Sequence, residues 1–221
     1  GNTSTTRGAI EIANYTDITT VNGAITLAGG NTAGESSPTG FASGNGSGKT
    51  HGVSLGTSVN ATDNVKISST DGNILIKGQT NNVAGAQGIA FYSGANVTST
   101  NGSVSIYGAS NQPAGGTSGI NGHAVYLNWI PSGTTGYTST ISGGATNKTA
   151  VTISGLVTSA SSSPSNNANG ITAWQTYGAM NITATGSNGD ISLVGVASSG
   201  TSDAIELNQT TITANGGKIT I

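Results

Sequence analysis

The stretch that decides the fold is Ile182-Thr183-Ala184-Thr185-Gly186-Ser187-Asn188-Gly189-Asp190-Ile191-Ser192-Leu193-Val194-Gly195. Apolar and hydroxyl side chains alternate on both sides of the Asn188-Gly189 pair, and this period of two is typical of a half-buried strand. Asn and Gly tolerate a positive φ, so the pair between the two runs indicates a turn. The stretch therefore predicts two short strands joined by a tight corner.

The same pattern recurs six times, as a unit of three short strands that we name A, B and C. Strand A carries Ile10/Ile12, Val53/Leu55, Ile89/Phe91, Val125/Leu127, Ile171/Ala173 and Ile205/Leu207. Strand B contributes Ile18, Ile67, Val97, Ile141, Ile182 and Ile212. Strand C carries Ile25/Leu27, Ile74/Ile76, Val104/Ile106, Val151/Ile153, Ile191/Leu193 and Ile219/Ile221. The corner between B and C is Asn22-Gly23, Asp71-Gly72, Asn101-Gly102, Asn188-Gly189 or Asn215-Gly216, with Asn147 in a looser version.

A unit of three short strands is too small to bury its own apolar face, so it must stack on its neighbours. The repeats predict an all-β chain folded as a parallel β-helix, a solenoid of about six three-stranded coils, roughly 29 Å long at about 4.8 Å per coil. An antiparallel sandwich fits the long period less well. Copy spacing varies because the segments after strand C differ in length, the longest being 30–51 and 156–169. Loop insertions are therefore expected mainly at one corner.

Composition excludes several classes of function. Only 6 Lys and Arg and 8 Asp and Glu occur in 221 residues, and more than half of the chain is Gly, Ser, Thr or Asn. Such a composition is also typical of disordered linkers, but the repeats favour a folded chain. A net charge of −2 without a basic cluster argues against nucleic-acid binding. No apolar run reaches the roughly 18 residues of a membrane span, so no membrane insertion is expected. The chain has no Cys.

Candidate catalytic groups are few. Polysaccharide-active β-helical enzymes need paired carboxylates, or a carboxylate with basic residues, on one face. Glu11 and Glu206 share an outward position on strand A but would lie about 24 Å apart. Arg7 is the single Arg, while His51 and His123 stand alone in loops without neighbouring metal ligands. We expect no catalytic site, metal or cofactor, and we keep a polysaccharide-active enzyme as an alternative.

Hydroxyl side chains on strand B raise a second alternative. Thr98 and Thr100, and likewise Thr183 and Thr185, follow the spacing of a flat threonine array that would suit an ice-binding β-helix. Outward Thr is also the favoured residue of any exposed strand. The array is expected to be broken in the fourth repeat and, in its second column, at Val21 and Asn215.

Six aromatic residues lie on adjacent repeats. Alternation places Tyr92, Tyr126 and Trp174 outward on the third, fourth and fifth copies, and Trp129, Tyr137 and Tyr177 follow nearby. Together they predict a platform for sugar rings or for the surface of a partner. The alternative is a satellite core that packs beneath the insertion 128–139.

Residues 182–195 and 97–106 resemble the repeats of filamentous-haemagglutinin-type exoproteins, the large secreted adhesins and contact-dependent toxins of Gram-negative two-partner secretion systems. The resemblance implies a right-handed β-helical shaft, export with an outer-membrane secretion partner, a place at the bacterial cell surface and a role in adhesion and virulence. It also implies a glycan or protein receptor on a cell surface. Strand C stops mid-pattern at Ile221, so residues 1–221 are expected to be a single segment of a longer β-helical protein.

Overall fold

A computed structural model describes residues 9–30, 38–44, 51–56, 65–81, 85–111, 122–129, 136–159, 168–173, 178–197 and 202–221. Within these ranges every regular element is a β-strand, which confirms the all-β class. The described residues contain no helix with the length and apolarity needed to cross a membrane. The strands are β1 (Ile10–Ile12), β2 (Asp17–Thr20), β3 (Ile25–Leu27), β4 (Ala42–Gly44), β5 (Val53–Leu55), β6 (Lys66–Ser69), β7 (Ile74–Asn81), β8 (Ile89–Tyr92), β9 (Asn96–Ser99), β10 (Val104–Asn111), β11 (Val125–Trp129), β12 (Ser139–Gly143), β13 (Thr149–Ser159), β14 (Ile171–Ala173), β15 (Met180–Val196), β16 (Ile205–Leu207) and β17 (Thr210–Thr220).

The six A strands form one sheet in the order β1-β5-β8-β11-β14-β16. Each ladder is parallel and joins a strand to its counterpart in the next repeat, so that Ile10 pairs with Val53 and Val53 pairs with Ile89. All other ladders between these strands are parallel too, and one isolated antiparallel bridge joins Gly29 to Gly40. The expected parallel pairing is therefore confirmed.

The B and C strands share a second sheet of eleven strands, in the order β2-β6-β9-β12-β15-β13-β10-β7-β3, with β17 on β15 and β4 on β7. The sheet follows the B strands to β15 and returns along the C strands, because β15 spans both runs of its repeat, as β17 does in the last repeat. Residues 182–193 thus lie in one continuous strand, where the sequence predicted two short ones. The outermost strands of the sheet, β2 and β3, are consecutive in the chain. This is the layout of a nearly closed sheet. The solenoid of six coils stays a prediction from the sequence.

Apolar side chains of all three strand series meet in one continuous core. Ile67, Ile106 and Ile171 are fully buried, as are most of their equivalents in the middle repeats. Outward Thr and Ser on the second sheet keep partial exposure, as the alternation predicts. On the first sheet that expectation was wrong: Ser54 and Thr172 are buried although they point away from the core, so β5 and β14 are covered on both faces.

One strand, β4, has no counterpart in the repeat. It lies inside the long segment after the first C strand and pairs with the second half of β7, while β3 pairs with the first half. Its sequence, Ala42-Ser43-Gly44, has no pair of large apolar residues, and periodicity therefore gives no signal for it.

The corners between B and C use two different devices. Asn147 and Asn188 have φ near 54°, and Gly216 has φ of 80°, as their turn propensity predicts. In earlier repeats the reason for Gly is a close approach: a Cβ on Gly72 would lie 1.9 Å from the carbonyl oxygen of Gly23. There the Ser69 hydroxyl accepts from the Gly72 amide at 2.8 Å and donates to the Gly23 carbonyl at 3.1 Å.

Candidate ligand-binding site

The middle position of each A strand forms one column across the first sheet. Register aligns, in order, Glu11, Ser54, Ala90, Tyr126, Thr172 and Glu206. Tyr126 thus lies on the outward side, as alternation predicts, but only 7% of it is exposed. The ring of His123 packs edge-on against it with 5.0 Å between centroids. Tyr126 is therefore part of a second, outer layer of packing rather than an open surface.

A β-bulge in β11 sets the position of Trp129. Tyr126 pairs with Ala90, yet Trp129 and not Asn128 pairs with Tyr92, so β11 holds one extra residue at this point. The extra residue is accommodated at Asn128, which has φ of 55°, a conformation that Asn adopts more readily than most residues. Its buried amide is fixed at both ends: Nδ2 donates to the Ala179 carbonyl at 3.2 Å, and Oδ1 accepts from the Ser139 hydroxyl at 2.9 Å.

Trp129 is the centre of what we call the aromatic cluster: Tyr92, Tyr126, Trp129, His51 and His123. The indole centroid lies 4.9 Å from Tyr92, 5.7 Å from Tyr126 in a stacked arrangement, and 5.5 Å from His51 in an edge contact. Such ring pairs add about 0.5–1.5 kcal/mol each beyond the burial of their area. Tyr92 and Trp129 remain half-buried, so this part of the cluster reaches the surface.

Tyr137 lies beside the cluster and is held by the turn after β8. The Ser93 hydroxyl donates to the Tyr137 carbonyl at 3.0 Å and accepts from the Tyr137 amide at 2.6 Å. The Ser93 amide donates to the Trp129 carbonyl at 3.1 Å. One turn thus fixes the backbone of both residues, and the Tyr137 side chain stays half-buried.

Both histidines belong to a column of polar residues that precedes strand A by two positions. Nδ1 of His51 accepts from the Gln87 amide at 3.0 Å, and Nδ1 of His123 accepts from the Asn169 amide at 3.1 Å. Asn169 continues the pattern, since its Oδ1 accepts from the Asp203 amide at 2.9 Å. Both histidines lie outside the strands, as the sequence predicts, but each is only 2% exposed. Both histidines precede strand A by two residues, and this shared position in the repeat is the sequence signal that could have indicated their burial.

Burial changes the acid–base behaviour of two members of the cluster. Desolvation lowers the pKa of His123 to about 3. Desolvation, together with the nearby carboxylate of Glu11, raises the pKa of Tyr92 to about 12. At neutral pH the cluster therefore presents a neutral imidazole and a neutral phenol, with a carboxylate close to Tyr92.

The remaining candidate residues are Trp174, Tyr177, Arg7, Glu11 and Glu206. Trp174, Tyr177 and Arg7 lie outside the described residues. Glu11 and Glu206 stand five strand spacings apart in one column, about 24 Å, as the repeats predict. Across the described ranges no three His, Cys, Asp or Glu side chains come together in a way that could hold a metal ion.

Comparison with protein-family models, with curated proteins and with solved structures found no match for this chain.

Proposed function

We propose that the chain folds as a right-handed parallel β-helix of six three-stranded coils. The support is the register: every A, B and C ladder advances by one repeat, which is how successive coils of a solenoid pair. The nearly closed second sheet fits this proposal, because a strand that continues through the bend at Asn188 joins two faces of a coil into one sheet. The crossover connection between two parallel strands of one sheet is right-handed in almost all proteins.

We further propose that the chain is a non-catalytic segment of a secreted bacterial surface adhesin, as its resemblance to filamentous-haemagglutinin-type exoproteins implies, and that the aromatic cluster binds cell-surface glycans. The observation that carries the binding role is the half-buried Tyr92–Trp129 pair, whose ring centroids lie 4.9 Å apart. Sugar rings offer apolar C–H faces to aromatic rings and hydroxyls to carboxylates. The cluster supplies the aromatic faces, and Glu11 supplies a carboxylate in the neighbourhood of Tyr92.

A non-catalytic role is supported by the state of the titratable groups. The His123 imidazole stays neutral down to acidic pH and uses Nδ1 as an acceptor for the backbone. Glycoside hydrolysis needs two carboxyl groups about 5 to 10 Å apart, and Glu206, the other described carboxylate of the Glu11 column, is about 24 Å away.

The test is binding of the purified chain to a glycan array and to intact cells, with Trp129→Ala and Tyr92→Ala as variants. Each substitution removes one ring of the exposed pair, so we expect binding to fall at least tenfold. Tyr107→Ala is the matched control, because Tyr107 is also a half-buried, outward tyrosine but lies on β10 in the other sheet. Circular dichroism establishes that each variant is folded.

Equal binding by the wild type, Trp129→Ala and Tyr107→Ala would show that the cluster is a satellite core and not a binding site. Absence of binding to any glycan or cell would leave the chain as a spacer. Release of new reducing ends from a bound polysaccharide would contradict the non-catalytic role.

One observation favours ice binding as a second candidate. The first hydroxyl column of strand B runs without a break through all six repeats, as Thr19, Ser68, Thr98, Ser142, Thr183 and Thr213. The expected gap in the fourth repeat is therefore filled by Ser142. Thermal hysteresis that is lost in Thr98→Lys but kept in Ser105→Lys, on the C face, would support this function; no hysteresis in the wild type would eliminate it.

A further inference from the structure

We propose that a glycan bound at the aromatic cluster is recognised through a positively charged amino group, which lies between Tyr92, Glu11 and Asn14 when the glycan is bound. This inference rests on the glycan-binding role proposed above and names the class of sugar, a cationic amino sugar.

Gly56 brings two of these side chains together. It follows β5, which lies between β1 and β8 in the first sheet, and its amide donates to the Ile12 carbonyl at 2.8 Å. Its φ of 93° is a conformation that favours Gly. A Cβ at Gly56 would lie 2.8 Å from the Cβ of Tyr92 and 3.3 Å from Oδ1 of Asn14. Tyr92 and Asn14 thus approach the same side of Gly56 from the two neighbouring repeats.

The charge on this part of the first sheet is negative. Burial, and then the negative charge of Glu11, raise the pKa of the Tyr92 phenol to about 12, so Glu11 lies within electrostatic range of the ring. The structure describes four lysines, and all of them belong to the second sheet or to its corners: Lys66, Lys77, Lys148 and Lys218. Among the described residues, the first sheet therefore presents the Glu11 carboxylate without a lysine or arginine.

The chemistry of these neighbours favours an ammonium group. Glu11 accepts hydrogen bonds through its carboxylate oxygens, Asn14 directs Oδ1 towards Gly56, and the faces of aromatic rings attract cations. Tyr92 and Trp129 are half-buried, with 4.9 Å between their centroids, so part of each ring is open to a ligand. A protonated amine has three N–H donors and no acceptor. It fits such a place better than an acetamido group does, and a carboxylate on the sugar would be repelled.

The experiment is isothermal titration calorimetry of the purified chain with two oligosaccharides of equal length. One consists of glucosamine and the other of N-acetylglucosamine, at a mildly acidic pH where the glucosamine amines are protonated. Contacts of an ammonium group with an exposed ring and with an exposed carboxylate are each weak, so we expect the amino form to bind roughly threefold to tenfold more tightly. Salt at about 0.5 M should remove most of this preference, because it screens the charge of Glu11.

Variants assign the preference to its source. Glu11→Gln keeps the shape of the side chain and removes its charge, so the affinity for the amino form should fall to that for the acetylated form. Asp17→Asn is the matched control, because it makes the same change of net charge at an exposed position of the same repeat, on β2 in the second sheet. The preference should persist in this control. Trp129→Ala should weaken the binding of both oligosaccharides.

Three results would overturn the inference: equal affinity for the two forms, a preference that survives in Glu11→Gln, or an equal loss of preference in Asp17→Asn. Equal affinity that Trp129→Ala abolishes for both forms would remove the cationic ligand but leave the glycan-binding role in place. Binding of neither oligosaccharide, together with no ligand on the glycan array, would contradict the glycan-binding role itself, and this inference with it.

Discussion

At the residue scale, His123 links the acid stability of the protein to the polar column before strand A. Burial lowers the pKa of His123 to about 3, well below the usual value near 6.5. Between pH 6.5 and pH 3 the His123 imidazole is protonated in the unfolded chain and neutral in the folded chain. The free energy of unfolding contributed by this site is therefore complete above pH 6.5 and is lost as the pH falls from 6.5 towards 3.

We predict that His123→Asn reduces this acid sensitivity. Asn169 holds the equivalent place in the next repeat, where its Oδ1 accepts the following amide, so Asn is a fitting acceptor at this position. Wild type and variant share every other titratable group. Their difference in unfolding free energy, measured by urea titration, should change by about 1.4 kcal/mol per pH unit below pH 6.5 in favour of the variant.

Above pH 7 the same difference should be constant, because the imidazole is neutral in both states of the wild type. A difference that stays constant from pH 7 to pH 4 would contradict the assigned burial of the His123 ring.

At the scale of the element, the bulge in β11 determines where Trp129 lies. We predict that Asn128→Ala displaces the indole and destabilises the protein by roughly 2 to 4 kcal/mol. It would place Ala at φ of 55° and remove both hydrogen bonds of the Asn128 amide, one buried and one part-buried. Trp129 fluorescence in a Trp174→Phe background is the readout, and a red shift of the emission is expected. The chain has two Trp residues, so this background isolates the indole.

Asn128→Gly separates the two contributions. Gly accepts the positive φ but loses the amide contacts, so its loss of stability should be smaller than that of Ala. An emission spectrum of Asn128→Ala identical to that of the starting protein would mean that the bulge does not position Trp129.

The elements themselves were largely predictable from the sequence, because period-two alternation marks each A, B and C strand independently of its neighbours. Strand β4 was not, since Ala42-Ser43-Gly44 has no such alternation. Alternation also predicted that Tyr126 points outward, but its burial depends on His123 and Trp129, which pack on it from other positions. The position of Trp129 depends in turn on the bulge at Asn128, for which the repeat pattern gave no sign.

At the scale of the whole molecule, parallel stacking explains why so few residues are charged. Each outward position recurs on the neighbouring strand at about 4.8 Å. A charge of one sign kept through the repeats would therefore be repelled by the same charge on the next strand. The column that begins at Asp17 changes to Lys66 and then to Asn96, which avoids like neighbours. Glu11 and Glu206 stand at opposite ends of their column.

The stack also predicts that the unfolding free energy contributed by a core side chain depends on its distance from the edges of the sheet. Ile141 and Ile18 occupy the same B column. Ile141 has column neighbours on both sides and is fully buried, whereas Ile18 has Ile67 as its one column neighbour among the described residues and is partly exposed. We predict that Ile141→Ala costs roughly 2 to 5 kcal/mol of unfolding free energy and that Ile18→Ala costs less than about half as much. Urea unfolding of each variant beside the wild type measures both losses. Equal losses would mean that burial in the stack does not depend on a neighbouring strand on each side.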